Sequence, residues 1–557
     1  MTLPAPLDNI TPKSANTLVE QSVVHIDNEL AALAESMRAL RSRRNSLARI
    51  SCLPPEILAT VFKHIVGGEG LNNYTGNYHC PPCLKVTHVC GHWRRVALEC
   101  PSLWAYIDWI SPCWIVVMLE RSKKAVLVVS CNASTLPRDS LERVLSQLPR
   151  IKVLRLHTYL SDIDRVLDHL SSQPAPLLQN FKFSVIGGDS HLASSPMSDT
   201  IFQGQAPQLR GVELTTRSVS WTSCIFSGLR TLYVRRIGSA SSSTLPELLS
   251  ALTRMPDLER LTLERLSISG GNNVVDRVPL ARLKSIVLSV AIHTSVALFA
   301  HLALPDDAKI VLNLTEIEGH QNFSDLFSAM DAGSGKFGPV FRSLRVCLLS
   351  LSSVIQFSTS MEAKSPTSWN ASDDDIRLSI QFAWNASTTI HSPIIFDICR
   401  MVTQGKIRSL SVSSSMIIQE PFWRAGSTSL PELEEIQISS SSIGDLLLTL
   451  QSQRDMGYRS LHALDLNDID FQEHELPELH STIIIRKKLG ASLHRLRLAS
   501  CRGLMADDVE LFEEDVEYVD WDSYEEALES ESEESYGGCH CPECRNPSSD
   551  ASADYFF

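Results

Sequence analysis

The sequence has no long apolar segment. Its longest uninterrupted apolar run, Cys113 to Leu119, has seven residues, whereas a helix that spans a bilayer needs about 20. Residues 1–6 also lack the basic segment and apolar core of a secretory leader. We therefore expect no membrane association, and a chain that is made and kept in the cytoplasm or the nucleus.

Sequence patterns typical of enzymes are equally scarce. There is no nucleophile elbow, phosphate-binding loop or dinucleotide-binding fingerprint. The 17 histidines are scattered, without cysteine or aspartate partners at a spacing that indicates catalysis. We therefore expect no catalytic residue and no cofactor, and an enzyme is the least favoured functional class.

Positive charge is also in short supply. The net charge of −14 comes from Asp507 to Glu534, where fifteen residues are Asp or Glu and none is Lys or Arg. The rest of the chain is nearly neutral, so no nucleic-acid partner is expected. Because carboxylates at this density repel one another, we predict that residues 506–557 form a disordered acidic tail. Such a tail either solubilises the protein or binds a basic partner.

The fourteen cysteines are expected to be free thiols, because disulfides are rare in reducing compartments. Two clusters have the spacing of metal ligands: Cys80 and Cys83 beside His79, and Cys539, Cys541 and Cys544 near the end. The clusters are far apart in the sequence, and neither alone supplies four good ligands. We therefore assign no metal site, and zinc binding is the alternative.

Residues 51–109 are the most informative segment. It contains three motifs: Leu53-Pro54-Pro55-Glu56-Ile57-Leu58, Val89-Cys90-Gly91-His92-Trp93-Arg94 and Pro101-Ser102-Leu103-Trp104. Proline suits a helix start, and apolar residues then recur at three- and four-residue spacing as far as Ile65. This predicts a helix that ends at Gly67-Gly68, followed by a surface loop. A second helix is predicted from Lys85 to Glu99, with Val86, Val89, Trp93 and Val96 on one face.

These motifs, in this order, resemble an F-box, the module that attaches a protein to a cullin-type ubiquitin ligase. The resemblance covers residues 50–110, which we call the helical module. It implies that the module binds a Skp-type adaptor and, through it, a cullin, while other parts of the chain bind an unknown protein substrate. It also implies these adaptor-binding residues: Leu53, Pro54, Pro55, Ile57, Leu58, Val61, Phe62, Val89, Trp93 and Trp104. Two alternatives remain open, namely a helical hairpin packed only on its own domain and a non-ligase interaction scaffold with F-box-like helices.

The segment before the helical module, residues 18–49, is predicted to be one helix. Its apolar residues follow alternating steps of four and three: Val19, Val23, Ile26, Leu30, Leu33, Met37 and Leu40, with Leu47 in the same register. This pattern predicts either a short coiled coil or a helix that folds back on the module or the first repeat. Arg41, Arg43, Arg44 and Arg49 complement the helix dipole. Residues 1–17 are predicted to be disordered.

Residues 111–505 carry a loose repeat of the form apolar-x-x-apolar-x-apolar. Clear copies begin at Ile151, Leu178, Leu209, Leu229, Leu258, Leu283, Phe341, Ile407, Leu433, Leu461 and Leu493. Degenerate copies begin at Lys124, Lys309 and Asp375. The alternating ends predict short strands, and helical patterns lie between them at Asp162 to Leu170, Pro246 to Arg254 and Ile443 to Gln451. Serine clusters such as Ser350 to Ser353 are predicted to be turns.

The repeat spacing of roughly 20 to 34 residues resembles that of leucine-rich repeats of the irregular kind. This implies an α/β fold in which the small helical module is followed by a solenoid, with a strand from each copy lining its concave face. Leu261, Leu263, Ile436 and Leu464 are predicted to be core or strand positions. A non-repetitive α/β domain is the alternative.

Overall fold

The structure is a computed structural model. It describes residues 12–68, 80–187, 199–238, 243–269, 277–314, 323–334, 341–349, 352–359, 376–383, 395–396, 398–400, 406–414, 417–452, 458–471 and 474–522. Within this part the chain divides into two compact units at Leu154/Arg155. None of the described helices combines the length and apolar character needed to cross a membrane.

The first unit is mainly helical. Its helices are α1 (Pro12–Ser46), α2 (Pro55–Gly68), α3 (Cys83–Thr87), α4 (Gly91–Leu98), α5 (Pro112–Ser122) and α6 (Arg138–Leu145). Short 3-10 turns cover Arg49–Cys52, Pro101–Trp104 and Leu148–Arg150. Two parallel strands, β1 (Tyr106–Asp108) and β2 (Leu127–Asn132), complete this list.

Helix α1 begins at Pro12, earlier than the predicted start at residue 18. Proline is well suited to the first helical turn, and Arg43 and Arg44 in the last turn complement the helix dipole. Residues 1–11 of the predicted disordered N-terminus lie outside the described residues. Every large apolar side chain of the predicted stripe is at least half exposed, so the described chain does not fold back over it.

The second predicted helix of the module, Lys85 to Glu99, is wrong as a single element because it divides into α3 and α4. Cys90 between them is extended (φ −160°, ψ 168°), and its Sγ accepts a hydrogen bond from the Trp93 amide at 3.5 Å, which caps α4. Val86 and Val96 are buried, whereas Val89 lies in the turn and is 56% exposed. The break therefore moves Val89 from the predicted buried face to the surface.

The first unit continues beyond residue 110, the predicted end of the helical module. The Arg121 guanidinium carbon in α5 lies 4.4 Å from the centroid of the Trp104 ring, and the Val128 amide donates to the Ala105 carbonyl at 3.0 Å. Because later segments pack on the end of the module in this way, the compact division falls at residue 154 rather than at residue 110.

The second unit is a mixed α/β structure built on a large, mostly parallel sheet. The strand that contains the unit boundary is β3 (Ile151–Tyr159). The strands of the large sheet are β4 (Asn180–Ile186), β5 (Gly211–Thr216), β6 (Thr231–Arg236), β8 (Arg260–Glu264), β11 (Ser285–Ser289), β13 (Lys309–Leu314), β14 (Ser343–Leu348), β15 (Ser352–Ser358), β16 (Ile376–Ala383), β17 (Ser409–Ser414), β18 (Glu435–Ser439), β19 (Ala463–Asn467), β20 (Arg495–Ala499) and β21 (Tyr518–Trp521).

The remaining elements of this unit lie between those strands. Short parallel pairs join β7 (Ser243–Thr244) to β9 (Ile268–Ser269) and β10 (Val278–Pro279) to β12 (Leu302–Ala303). The helices are α7 (Ile163–Ser171), α8 (Leu245–Thr253), α9 (Ile292–His301), α10 (Phe323–Ser334), α11 (Glu420–Ser429), α12 (Gly444–Gln451), α13 (Glu475–Lys488) and α14 (Ala506–Glu513). Helices α7, α8 and α12 confirm the three helical stretches predicted from sequence.

Neighbouring strands of the large sheet follow chain order except at one place. The order is β4, β5, β6, β8, β11, β13, β16, β15, β14, β17, β18, β19, β20 and β21. All these pairs are parallel except the two that involve β15, which is antiparallel to both β14 and β16. The strands from β14 to β16 thus form a meander inside a parallel sheet.

The apolar repeat positions align across the sheet. Leu261 lies opposite Ile286, and Ile436 lies opposite Leu464. These four side chains and that of Leu263 are at most 1% exposed, which confirms the predicted core and strand positions. The pairing register of neighbouring strands is fixed by the two-residue period of their side chains. A shift of one residue in this register would turn every leucine of a strand to the opposite face of the sheet.

Strand β15 corrects the prediction that Ser350 to Ser353 form a turn, since Ser352 and Ser353 begin the strand. Two large apolar residues that follow, Ile355 and Phe357, are two positions apart and fully buried. Their two-residue period is that of a strand, which outweighs the turn preference of a short serine run. Residues 350–351 lie outside the described part of the chain.

The sheet also continues past residue 505, so the prediction that residues from 506 onward are outside the fold is wrong for residues 506–522. Helix α14 buries Val509 and Phe512, and Val516 follows at 4% exposure. Strand β21 then pairs in parallel with β20, with Trp521 opposite Leu498. Apolar residues at three- and four-residue spacing therefore anchor this segment despite its acidic composition.

Cations distributed over earlier elements offset part of the acidic charge of residues 506–522. Lys487 Nζ lies 2.8 Å from Asp515 Oδ1, and Arg497 Nε lies 3.4 Å from Asp520 Oδ2. No contiguous basic run was needed, because the sheet brings single cations to the acidic segment. The rest of the predicted tail, residues 523–557, lies outside the described residues.

Acidic side chains also link successive helices of the second unit. Glu475, at the start of α13, is 1% exposed. Its Oε1 accepts hydrogen bonds from three groups at the start of α12: Ser442 Oγ at 2.6 Å, the Ile443 amide at 3.3 Å and the Gly444 amide at 3.2 Å. Asp445 Oδ2 likewise accepts from the Glu420 amide of α11 at 3.1 Å. A carboxylate here satisfies amides that lack a partner within the helix and complements the helix dipole.

Candidate binding surfaces

The helical module has a closed apolar interior. Its most deeply buried residues are Leu58, Phe62, Cys83, Val86, Val96, Ala97, Leu103 and Trp104. The rings of Phe62 and Trp93 pack with centroids 4.8 Å apart. Trp104 Nε1 donates to the Ala97 carbonyl at 2.8 Å, so the polar atom of this fully buried ring is satisfied. The interior therefore forms within the single chain.

Helix α2 has a second apolar side that the module leaves uncovered. Ile57 is 49% exposed and Ile65 is 43% exposed, and Val61 between them is partly exposed. Residues four apart lie along one side of a helix, and the exposed Pro54 extends this side at the helix start. We call these residues the α2 outer face: Pro54, Ile57, Val61 and Ile65.

The structure divides the adaptor-binding residues implied by the F-box resemblance into groups. The partly or fully exposed ones are Leu53, Pro54, Pro55, Ile57, Val61 and Val89. Leu58, Phe62 and Trp104 are 0% exposed, and Trp93 is partly exposed beside Phe62. In the unbound chain the three fully buried residues support α2 from inside, so a partner can reach only the exposed group and the edge of Trp93.

The structure describes two residues of the cysteine cluster in the helical module, Cys80 and Cys83. Cys83 is 1% exposed, and burial raises the pKa of its thiol to about 12. Among the described residues, no group of three or more His, Cys, Asp or Glu side chains is arranged to hold a metal ion. His79, Cys539, Cys541 and Cys544 lie outside that part of the chain.

The face of the large sheet that lies opposite the leucines is polar. Lys182 on β4 faces Glu213 on β5, with Nζ 2.8 Å from Oε2. Arg235 on β6 faces Glu264 on β8, with Nε 3.7 Å from Oε2. Each such half-exposed pair contributes about 1 kcal/mol or less to stability. Charges of both signs alternate along this face, so it is no surface for a strongly charged partner of one sign.

Strands β17 to β19 carry a row of buried polar residues on the same face, which we call the polar row: Ser411, Gln437 and Asp465. They lie opposite one another in register and are 4%, 7% and 8% exposed. Ser411 Oγ, Gln437 Oε1 and Asp465 Oδ1 have no hydrogen-bond partner within the described chain. Burial raises the pKa of Asp465, while Arg495, 3.7 Å away, opposes this shift. Buried polar atoms without partners are costly, and the described chain itself covers these atoms, so the polar row is an internal feature of the sheet rather than an open binding surface.

Sequence reasoning did not identify the polar row, although one signal was present. Ser411 lies between Leu410 and Val412, and a residue between two core positions of a strand faces the other side of the sheet. Burial of that side could not be read from the repeat, because it depends on segments that are distant in the sequence.

The helical module and the large parallel sheet define a mixed α/β protein with a separate helical unit at its N-terminal end. No protein-family model matches the chain, and no curated protein is significantly similar to it.

Proposed function

We propose that the chain is the substrate-recognition subunit of a Skp–cullin–F-box ubiquitin ligase. In this proposal the helical module is an F-box that binds a Skp-type adaptor through the α2 outer face and neighbouring exposed residues. The large sheet binds the protein substrate. The chain brings the two together in the cytoplasm or the nucleus, and the ubiquitin-transfer chemistry belongs to other subunits.

The observation that carries the proposal is the α2 outer face. Ile57 and Ile65 are large aliphatic side chains left nearly half exposed, within the motif that resembles the F-box start. The module does not need them for its own packing, because Leu58 and Phe62 already fill the interior of the same helix. A continuous exposed apolar strip of this kind is typical of a surface that a partner helix covers.

For substrate binding, we propose that the second unit is an irregular leucine-rich-repeat solenoid. Its support is the in-register alignment of repeat leucines such as Leu261 and Ile286, together with helices between successive strands. We assign substrate contact to the polar face of the sheet, where side chains such as Lys182 and Glu213 remain partly exposed.

The test is affinity purification of the full chain and of its Leu53→Ala/Pro54→Ala variant. Truncating one large side chain at the centre of an interface costs about 2 kcal/mol or more, so the variant should bind the Skp-type adaptor at least about tenfold more weakly. The second unit should stay folded, as judged by an unchanged protease-resistant fragment. Undiminished adaptor binding would contradict the proposed contact.

The same purification separates a ligase subunit from a scaffold. A ligase subunit should retain the cullin together with the adaptor, and should lose both when residues 50–110 are deleted. Adaptor binding without cullin would favour the non-ligase scaffold. Blocking the proteasome during the experiment should increase the yield of proteins held by the sheet, because ubiquitinated substrates are then not degraded.

A further inference from the structure

Helix α1 carries an apolar surface that is distinct from the α2 outer face. We call it the α1 stripe: Val19, Val23, Ile26, Leu30, Leu33, Met37 and Leu40. These side chains are 50–65% exposed, along a helix of 35 residues that is about 52 Å long. Within the described chain nothing covers the stripe. Exposed apolar surface of this extent marks an interaction site.

The spacing of the α1 stripe indicates another helix as its partner. Steps of four and three residues alternate from Val19 to Leu40. This is the a/d pattern of a coiled coil, and the stripe it makes is narrower than that of a helix packed on a globular core. Val23, Leu30 and Met37 occupy a positions, and Arg44 takes the next one.

The charges of α1 are divided between its two halves. The N-terminal half carries Lys13, Glu20, Asp27 and Glu29, a net acidic set, and the C-terminal half carries Glu35, Arg38, Arg41, Arg43 and Arg44, a net basic set. Two of these acids have partners within the helix, since His25 lies 3.4 Å from Glu29 and Arg38 pairs with Glu35. Glu20 and Arg41 are exposed and form no ion pair among the described residues. One acidic and one basic half make the helix complementary to a reversed copy of itself.

We propose that α1 forms an antiparallel coiled coil with α1 of a second copy of the chain. At the centre of the coiled coil, Leu30 packs against Leu33 of the second copy. Towards each end, Val23 of one copy packs against Leu40 of the other. Glu20 then lies beside Arg41 of the second copy. Twofold symmetry repeats that pair at the other end of the coiled coil.

The parallel arrangement of the same helices is less favourable. It would place Arg44 at an a position directly against Arg44 of the second copy, which brings two like charges together in the seam. The g and e positions beside the seam would place Ser22 next to Asp27 of the second copy and Ser36 next to Arg41 of the second copy. Neither contact is an acid–base pair. In the antiparallel arrangement, Arg44 lies opposite Val19 of the second copy and next to the carboxylate of Glu20. Charge therefore selects the orientation, while the apolar stripe supplies the affinity.

The first test is the oligomeric state of the full chain by sedimentation equilibrium in reducing buffer. The chain should be in a concentration-dependent equilibrium between monomer and dimer. Leu30→Glu/Leu33→Glu should make it monomeric, because two charges per helix would then lie in the seam. The matched control is Ala31→Glu/Ala32→Glu, which adds the same charges on the other side of the helix and should leave the dimer intact. A monomeric wild-type chain, or a dimer that survives the Leu30/Leu33 change, would overturn the proposal.

The second test concerns orientation and uses charge exchange. Glu20→Arg replaces two attractive pairs by two repulsive ones, and should weaken dimerisation about tenfold. Adding Arg41→Glu recreates both pairs with their signs exchanged, and should restore the wild-type dissociation constant. In a parallel dimer these positions do not meet, so the second change would restore nothing. Adaptor binding by the helical module is measured separately, and its failure would leave this proposal untouched.

Discussion

Glu475→Ala removes a carboxylate that holds two successive helices of the second unit together. At the start of α12, the Ser442 hydroxyl and the Ile443 amide would lose this acceptor, and the Gly444 amide would keep only its longer hydrogen bond to Ser442 Oγ at 3.4 Å. A hydrogen bond to a charged group contributes about 1.5–3 kcal/mol, and loss of a helix cap alone costs about 1 kcal/mol. The hydrogen-bond energy and the cap energy cannot simply be added, because both describe the same carboxylate. We expect a local destabilisation of about 2–4 kcal/mol because Glu475 is 1% exposed, which leaves little room for water to replace it.

Amide hydrogen exchange measures this effect where it occurs. If the local opening free energy falls by that amount, exchange of the α12 amides should accelerate roughly 30- to 700-fold. The matched control is Glu478→Ala, which removes a carboxylate from the same turn of α13. Its side chain makes no hydrogen bond to α12 within the described structure, so exchange in α12 should stay close to that of the wild type.

Glu475→Gln separates charge from hydrogen bonding, because it keeps an oxygen acceptor without the negative charge. Its effect should lie between those of the wild type and Glu475→Ala. Equal exchange rates in the wild type and Glu475→Ala would refute the reasoning. So would equal acceleration by Glu475→Ala and Glu478→Ala, which would show a general effect of lost charge rather than a cap.

Two further predictions concern packing and thiol reactivity. Gly426→Ala should destabilise the second unit by about 1–3 kcal/mol in urea unfolding, because the new Cβ would collide with the Tyr458 hydroxyl and approach the Phe396 ring; an unchanged midpoint would show that these rings move freely. At mildly alkaline pH, iodoacetamide should alkylate the exposed Cys113 well before Cys83, because burial raises the pKa of the Cys83 thiol to about 12 and keeps it protonated; equal rates in the native protein would contradict its burial.

The strands could be predicted from the sequence because their signal is local. A strand such as Leu258 to Leu263 needs only the alternation of apolar residues, and Leu261 and Leu263 are indeed buried. The position of β15 in the sheet had no such signal, because it depends on pairing with β14 and β16. The helix cap made by Glu475 could not be predicted from the sequence either, because its backbone donors lie 31 and 32 residues earlier in the chain.

The candidate adaptor-binding surface was predictable in location but not in detail. Pattern analysis placed Ile57 and Leu58 together, because both are aliphatic and both fit a helical stripe. The structure separates them, with Ile57 49% exposed and Leu58 fully buried. That difference depends on which side of α2 meets Trp93 and Trp104, a tertiary contact that spacing does not specify. Val89 proved to be exposed for a different reason, because the break between α3 and α4 places it in a turn.

The most direct test of the account is the dissociation constant of the Skp-type adaptor for the full chain and its Ile57→Glu variant. A charge at the centre of the α2 outer face should weaken binding at least about tenfold without unfolding the module, since Ile57 is not part of its interior. The control is Leu448→Glu, a change at a comparably exposed leucine on α12 of the second unit, which should bind as the wild type does. Equal affinity of all three proteins for the adaptor, or no measurable binding by the wild type, would contradict the assignment of the helical module as an F-box.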